Sequence, residues 1–188
     1  PEAAGPMLYH EAIDLLKEID ERAQQEQSAL ITGILYDDHQ QQKYFNSVLG
    51  LGTAMGLYHK QRLVPFGEYV PLESFLRGLI AFFDLPQSVI HPGPSEQQGL
   101  LAGNTRIAPS ICYEVVYPGL VSEAAAQADV LLTISNDAWF GGSIGPLQHM
   151  QMAQMRALET GRYMIRSTNN GVSGIIDERG KILVKSEQ

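Results

Sequence analysis

Asp129-Val-Leu-Leu-Thr-Ile-Ser135 is a continuous apolar run closed by polar residues at both ends. A run without alternation reads as a strand buried on both faces, the kind that parallel sheets use. Just upstream lies Ile107-Ala-Pro-Ser-Ile-Cys-Tyr-Glu-Val-Val-Tyr-Pro118, a second short buried strand. The apolar pattern carries it through Val115 and Val116 to a turn at Pro118 and Gly119. It holds the only cysteine, Cys112. A thiol at a strand end, followed by turning backbone, can be exposed at its tip on a rigid support. The next amide, that of Tyr113, can then face whatever the sulfur attacks. Taken alone, a cysteine in an apolar run reads as readily as a small buried hydrophobe.

Working outward, residues 121–127 form a short helix between these two strands. Residues 136–146 are a Gly-rich loop carrying the single tryptophan, Trp139. A helix over 147–160, strands over 163–168 and 172–176, a hairpin turn at Asp177-Glu-Arg-Gly180 and a strand over 181–184 follow. In the other direction, Leu8, Ala12, Leu15, Leu16, Ile19 and Ala23 recur at three- and four-residue steps, which predicts an amphipathic helix over 7–27. Strands over 29–36 and 44–51 flank a polar hairpin loop, and residues 52–56 turn the chain into Leu57-Tyr-His-Lys60. Residues 63–69 and 87–99 are Pro- and Gly-punctuated loops, separated by an apolar helical pattern over 72–85. Alternating helices and strands, with no repeat and no low-complexity linker, predict one α/β domain spanning 1–188.

The chain has 188 residues, enough to bury a sizeable core, and is 44% hydrophobic and 18% charged. Its net charge of −8 argues against a nucleic-acid partner, which requires clustered Lys and Arg, and against charge-driven adhesion to anionic membranes. No apolar run has the length of a membrane helix, and a chain opening on Pro1-Glu2 reads as cut from something longer. His10, His39, His59, His91 and His149 show no metal spacing such as His-Glu-x-x-His, so neither a metal nor an organic cofactor is expected.

A cysteine nucleophile needs a base, and a carboxylate serves when burial tunes its pKa. The oxyanion that forms on a carbonyl needs a cation as well as a backbone N–H. Glu2 at the start of the first loop, Lys60 at one strand end and Cys112 at another offer that set.

These residues sit in contexts that resemble a known family. Pro1-Glu2-Ala-Ala, Tyr58-His-Lys-Gln-Arg-Leu-Val-Pro-Phe-Gly-Glu-Tyr-Val-Pro71, Ile111-Cys-Tyr-Glu114, Ser135-Asn-Asp-Ala-Trp-Phe-Gly141 and Arg166-Ser-Thr-Asn-Asn-Gly171 are similar to motifs of the nitrilase, or carbon–nitrogen hydrolase, superfamily. More narrowly, the chain resembles the extracytoplasmic catalytic domain of the bacterial apolipoprotein N-acyltransferases. The resemblance implies a nitrilase-type αββα sandwich, two facing sheets with helices outside. It implies Glu2 as general base, Lys60 as oxyanion stabiliser beside the Tyr113 N–H, and Cys112 as nucleophile. Glu68 matches a second glutamate that positions the lysine or the substrate amine, and Tyr113 and Glu114 match residues required beside the nucleophile. The implied reaction takes an acyl chain from a phospholipid as a thioester and passes it to the α-amino group of an apolipoprotein's lipidated N-terminal cysteine. The implied location is the bacterial inner membrane, with the domain facing the periplasm. The family's membrane helices, a strand expected beside one carrying Glu2, and its final helical tail have no counterpart in the sequence.

Several readings stay open at this level. The 72–85 segment is a core helix or an acyl-chain lid presenting Phe75, Leu79 and Phe82. Trp139 and Phe140 are core aromatics or a wall of the acyl pocket; their Gly-rich loop favours the wall. His149 reads as helix packing, and Asn169-Asn-Gly171 as a simple turn. An amidase of the same superfamily, releasing its thioester to water, and an inactive domain that only binds lipoprotein are the rival functions.

Overall fold

A computed structural model of the chain describes residues 2–4, 7–65, 67–69 and 90–187. Helix α1 (Tyr9–Gln25) is followed by an antiparallel hairpin of β1 (Ala29–Asp38) and β2 (Lys43–Gly52), then by β3 (Ala54–Met55) and β4 (Leu57–His59). After the segment 70–89 come β5 (Leu100–Ala102), β6 (Thr105–Ile111), α2 (Pro118–Ala125), β7 (Val130–Asn136), α3 (Gly145–Thr160), β8 (Tyr163–Asn169), β9 (Gly174–Ile176) and β10 (Ile182–Lys185). The strands form a three-stranded sheet, β1-β2-β4, and a seven-stranded sheet, β10-β9-β8-β7-β6-β5-β3.

Three apolar clusters define four layers. Val48 and Tyr58 of the small sheet pack on Leu100, Ile107, Ile111, Leu132 and Ile134 of the large one, so the two sheets face each other. Ala12 and Leu16 of α1 cover the outer side of the small sheet at Ile34 and Leu51. On the far side, Val121 and Ala125 of α2 and Met150, Ala153 and Ala157 of α3 cover Ala108, Leu131 and Met164. Successive residues supply opposite faces, as the two-residue strand period requires: Ile107 points to one cluster and Ala108 to the other, as do Leu132 and Leu131. The expected αββα sandwich is the one observed, and β7 is the parallel, two-side-buried strand its apolar run predicts, flanked by β6 and β8.

Four expectations are corrected. The cysteine strand stops at Ile111, and residues Cys112–Val116 wind into a 3-10 turn, because Cys112 adopts φ 50° and leaves the extended region. Glu2 lies in a turn, not on a strand. The turn at 52–56 contains β3, and β5 forms an antiparallel hairpin with β6; two- and three-residue strands are too short to show a period. The Gly-rich loop opens with a 3-10 turn, Asp137–Phe140. The 72–85 segment, with Phe75, Leu79 and Phe82, lies outside the described residues.

Candidate active site

Parallel strands β6, β7 and β8 end side by side, with Ile111 opposite Ile134 and Asn136 opposite Asn169. Ligand sites of α/β sheets form beyond such carboxyl ends. Cys112 follows β6 directly. Lys60 follows β4 directly, on the facing sheet, and its N–H donates to the Asn46 carbonyl at 2.8 Å.

Glu2 and Lys60 are buried, at 6% and 1% exposure. The Lys60 ammonium sits 3.6 Å from Glu2 Oε1 and 2.9 Å from both oxygens of Glu68. Glu68 in turn accepts from the Val64 N–H at 2.8 Å, which closes the loop between lysine and glutamate. Glu2 is gripped from three sides. Asn46 Nδ2 donates to Oε1 at 2.6 Å, the Asn136 N–H donates to Oε2 at 2.8 Å, and Asn169 Nδ2 donates to the Glu2 main-chain carbonyl at 3.0 Å. A carboxyl group this firmly hydrogen-bonded is fixed in direction.

Cys112 shares this cluster. Burial pushes its thiol up to about 11, the Glu2 carboxylate adds to the rise, and the Lys60 charge opposes it. For Lys60, burial acts to lower the pKa, but the neighbouring Glu2 and Glu68 carboxylates outweigh it and hold the ammonium above its ordinary value. At neutral pH the site therefore holds a neutral thiol beside the Lys60 ammonium.

The conformation of Cys112 is held from behind. A non-glycine residue at φ 50° carries strain on the order of 1–3 kcal/mol, which the surroundings must offset. His149 on α3 donates from Nε2 to the Cys112 carbonyl at 3.1 Å. Its Nδ1 lies 3.0 Å from Asp137 Oδ1. Asp137, fully buried, also accepts from Ser135 Oγ at 2.7 Å and from Arg166 Nη2 at 2.6 Å, while Arg166 Nε donates to the Val172 carbonyl. Burial would raise the Asp137 carboxyl, but the His149 hydrogen bond and the Arg166 charge hold it below the usual carboxylate range. Gly171 belongs to the same unit: a Cβ there would lie 2.4 Å from an Asp137 oxygen.

Glu114, two residues past the cysteine, is wholly buried and ties both strand ends together. It accepts from the Ile111, Gln61 and Arg62 N–H groups at 2.8, 2.6 and 3.2 Å and from the Tyr58 hydroxyl at 3.0 Å. Burial raises its carboxyl against the pull of those donors. Tyr113 stacks edge-on against Tyr117 at 5.3 Å, and its amide leads the 3-10 turn, where such N–H groups have no acceptor within the turn. Trp139 stands 87% exposed on the rim, with Phe140 packed 5.9 Å from the His149 ring.

Residues 1–188 match the family model described as carbon-nitrogen hydrolase. The chain belongs to this family. Over its whole length it is 56% identical to a protein of Azotobacter vinelandii named apolipoprotein N-acyltransferase, covering 37% of that protein. Over 97% of its length it is 55% identical to the Pseudomonas aeruginosa protein of the same name, covering 36%. The chain thus spans little more than a third of these relatives. Its fold is similar to that of a Helicobacter pylori carbon-nitrogen hydrolase, with a TM-score of 0.69 over 94% of this chain and 64% of the other at 16% identity. It is likewise similar to the Caenorhabditis elegans NitFhit protein, with a TM-score of 0.67 over 95% of this chain and 46% of the other at 17% identity.

In this member of the carbon–nitrogen hydrolase family, the motifs quoted from the sequence acquire physical content. Ser135-Asn-Asp supplies the Asn136 clamp on Glu2 and the buried Asp137. Arg166 to Gly171 supplies the partner of Asp137, the Asn169 clamp and the space beside Asp137. Asn169 therefore does more than make a turn, and His149 more than pack. Asn46 went unnoticed in the sequence; its signal was an Asn-Ser pair inside the apolar β2 run.

Proposed function

We propose that residues 1–188 form one catalytic domain that transfers an acyl chain from a phospholipid to the α-amino group of an apolipoprotein's lipidated N-terminal cysteine. The observation that carries this reading is the cluster of buried Glu2 and Lys60 with the half-buried Cys112, its sulfur on a strained turn, in a chain so similar to proteins named apolipoprotein N-acyltransferase. In the first half-reaction the thiol proton passes to Glu2 as Sγ bonds to the ester carbonyl carbon. Lys60 and the Tyr113 N–H stabilise the oxyanion, Glu68 holds Lys60 in line, and Glu2 returns the proton to the departing lysophospholipid oxygen as the C–O bond breaks. In the second, the amine attacks the thioester, its proton passes through Glu2 to the leaving sulfur, and an amide results. A thioester reacts readily with amines and survives where water is excluded.

The same reading places the domain on the periplasmic face of the bacterial inner membrane, anchored by helices outside these residues. Among the described residues no helix is long and apolar enough to cross a membrane. Trp139, Ile144 and Leu147 are exposed along the stretch that runs from the 3-10 turn into the start of α3, and would meet acyl chains there. The test is intact-protein mass measurement on the full-length polypeptide in micelles with phospholipid. An acyl adduct on Cys112 that persists until an acceptor peptide with a free α-amino group is added supports transfer. Fatty-acid release at the same rate with and without acceptor would make it an amidase-type hydrolase, and no adduct would leave it a binding domain.

A further inference from the structure

His10 at the start of α1, Asp37 near the end of β1 and His39 in the β1–β2 turn are far from metal spacing in sequence, yet they meet in space. We propose that they form a binding site for a divalent transition-metal ion of the zinc type. Asp37 is the anchor, with a side chain 3% exposed. Its Oδ1 accepts the His10 main-chain N–H at 3.0 Å. Its Oδ2 is buried as well. That oxygen lies against His10 Nδ1 and 2.8 Å from His39 Nε2. Both imidazoles thus converge on one buried carboxylate oxygen, and a cation held by the three groups would exchange those contacts for metal bonds.

The ring geometry agrees. The two imidazole centres are 4.7 Å apart with planes at 70°. Imidazoles sharing one ion, at metal–nitrogen distances of about 2.0–2.1 Å and a near-tetrahedral angle, have centres roughly 5 Å apart. Two imidazoles and one carboxylate suit zinc, nickel or copper better than magnesium or calcium, and three protein ligands leave a position open to water. Asp37 and His39, though not His10, line an open cleft of about 250 Å³ beside the cluster.

The position gives the site a consequence. Residues on both sides of 5–6 contact β1: the Ala4 N–H donates to Gly33, Leu8 bridges to Leu35, and His10 reaches Asp37. An ion at His10, Asp37 and His39 would pin the far end of the arm that delivers Glu2. The proposal stands independently of the acyl-transfer reading.

It is tested by titrating the full chain with Zn²⁺ against a chromophoric chelator, alongside thermal denaturation with and without Zn²⁺. The wild type should take one equivalent and melt higher with the metal. His39→Ala removes a side chain 70% exposed and leaves the fold in place; it and His10→Ala should each weaken binding roughly tenfold or more and abolish the rise in melting temperature. Mg²⁺ should do neither. Absence of an equivalent in the wild type, or His39→Ala binding as tightly, would overturn the site and leave a plain His–Asp ion pair.

Discussion

Cys112 is where the physical demands on one residue conflict. It must leave the extended region for its sulfur to reach Glu2, and its backbone pays strain at φ 50° to do so. The compensation comes from His149 on the Cys112 carbonyl and from the Asp137–Arg166 pair behind His149. His149→Ala should therefore slow acylation on the order of a hundredfold, with little change in KM, since misplacing a reacting atom by about 1 Å costs that much. His149→Gln, which keeps a donor near the carbonyl, should recover part of the rate; equal loss in both would reduce His149 to packing. The sequence made Cys112, Lys60 and Glu2 legible because family motifs surround them. It hid His149 and Asn46, whose partners lie 37 and 44 residues away in the chain. No local period encodes such a pairing.

Among the elements, the decisive connection joins the end of β6 to the loop after β4, and it runs through Glu114. One buried carboxylate takes three main-chain donors and a tyrosine hydroxyl from both sheets. Glu114→Ala would strand those donors, so chemical denaturation should show a loss of about 3 kcal/mol or more. Glu114→Gln keeps the shape but offers only one acceptor oxygen, and should fall between Ala and wild type. A Glu114→Ala protein as stable as wild type would remove the strut from this account. Long elements were legible: α1, β1, β2, β7 and α3 lie within a few residues of their apolar patterns, and Gly180 at φ 76° makes the turn its sequence predicts. The 3-10 turn at Cys112–Val116 was not, because Val115 and Val116 prolong a strand-like pattern while buried contacts, not propensity, decide the backbone there.

Across the whole molecule, the four-layer arrangement brings Glu2 within 2.8 Å of the Asn136 amide, 134 residues on in sequence. Apolar residues on both faces of β6 and β7 announced burial on two sides, but not whether a helix or a sheet lay on each; the layering was legible only through the family resemblance. This long-range assembly makes one electrostatic unit of an acid, an ammonium and a sulfur. With the thiol pushed up to about 11 by burial and by Glu2, its protonated form dominates throughout the neutral range. Removing the Glu2 charge lowers the thiol pKa, and thiolate becomes more abundant at a given pH. The direct measurement is the rate of Cys112 alkylation by iodoacetamide between about pH 7 and pH 10 in wild type and Glu2→Gln. The wild-type rate should climb about tenfold per pH unit with no plateau, and the Glu2→Gln profile should be displaced to lower pH. A wild-type plateau at the ordinary thiol value of about 8.5, unmoved by Glu2→Gln, would contradict it.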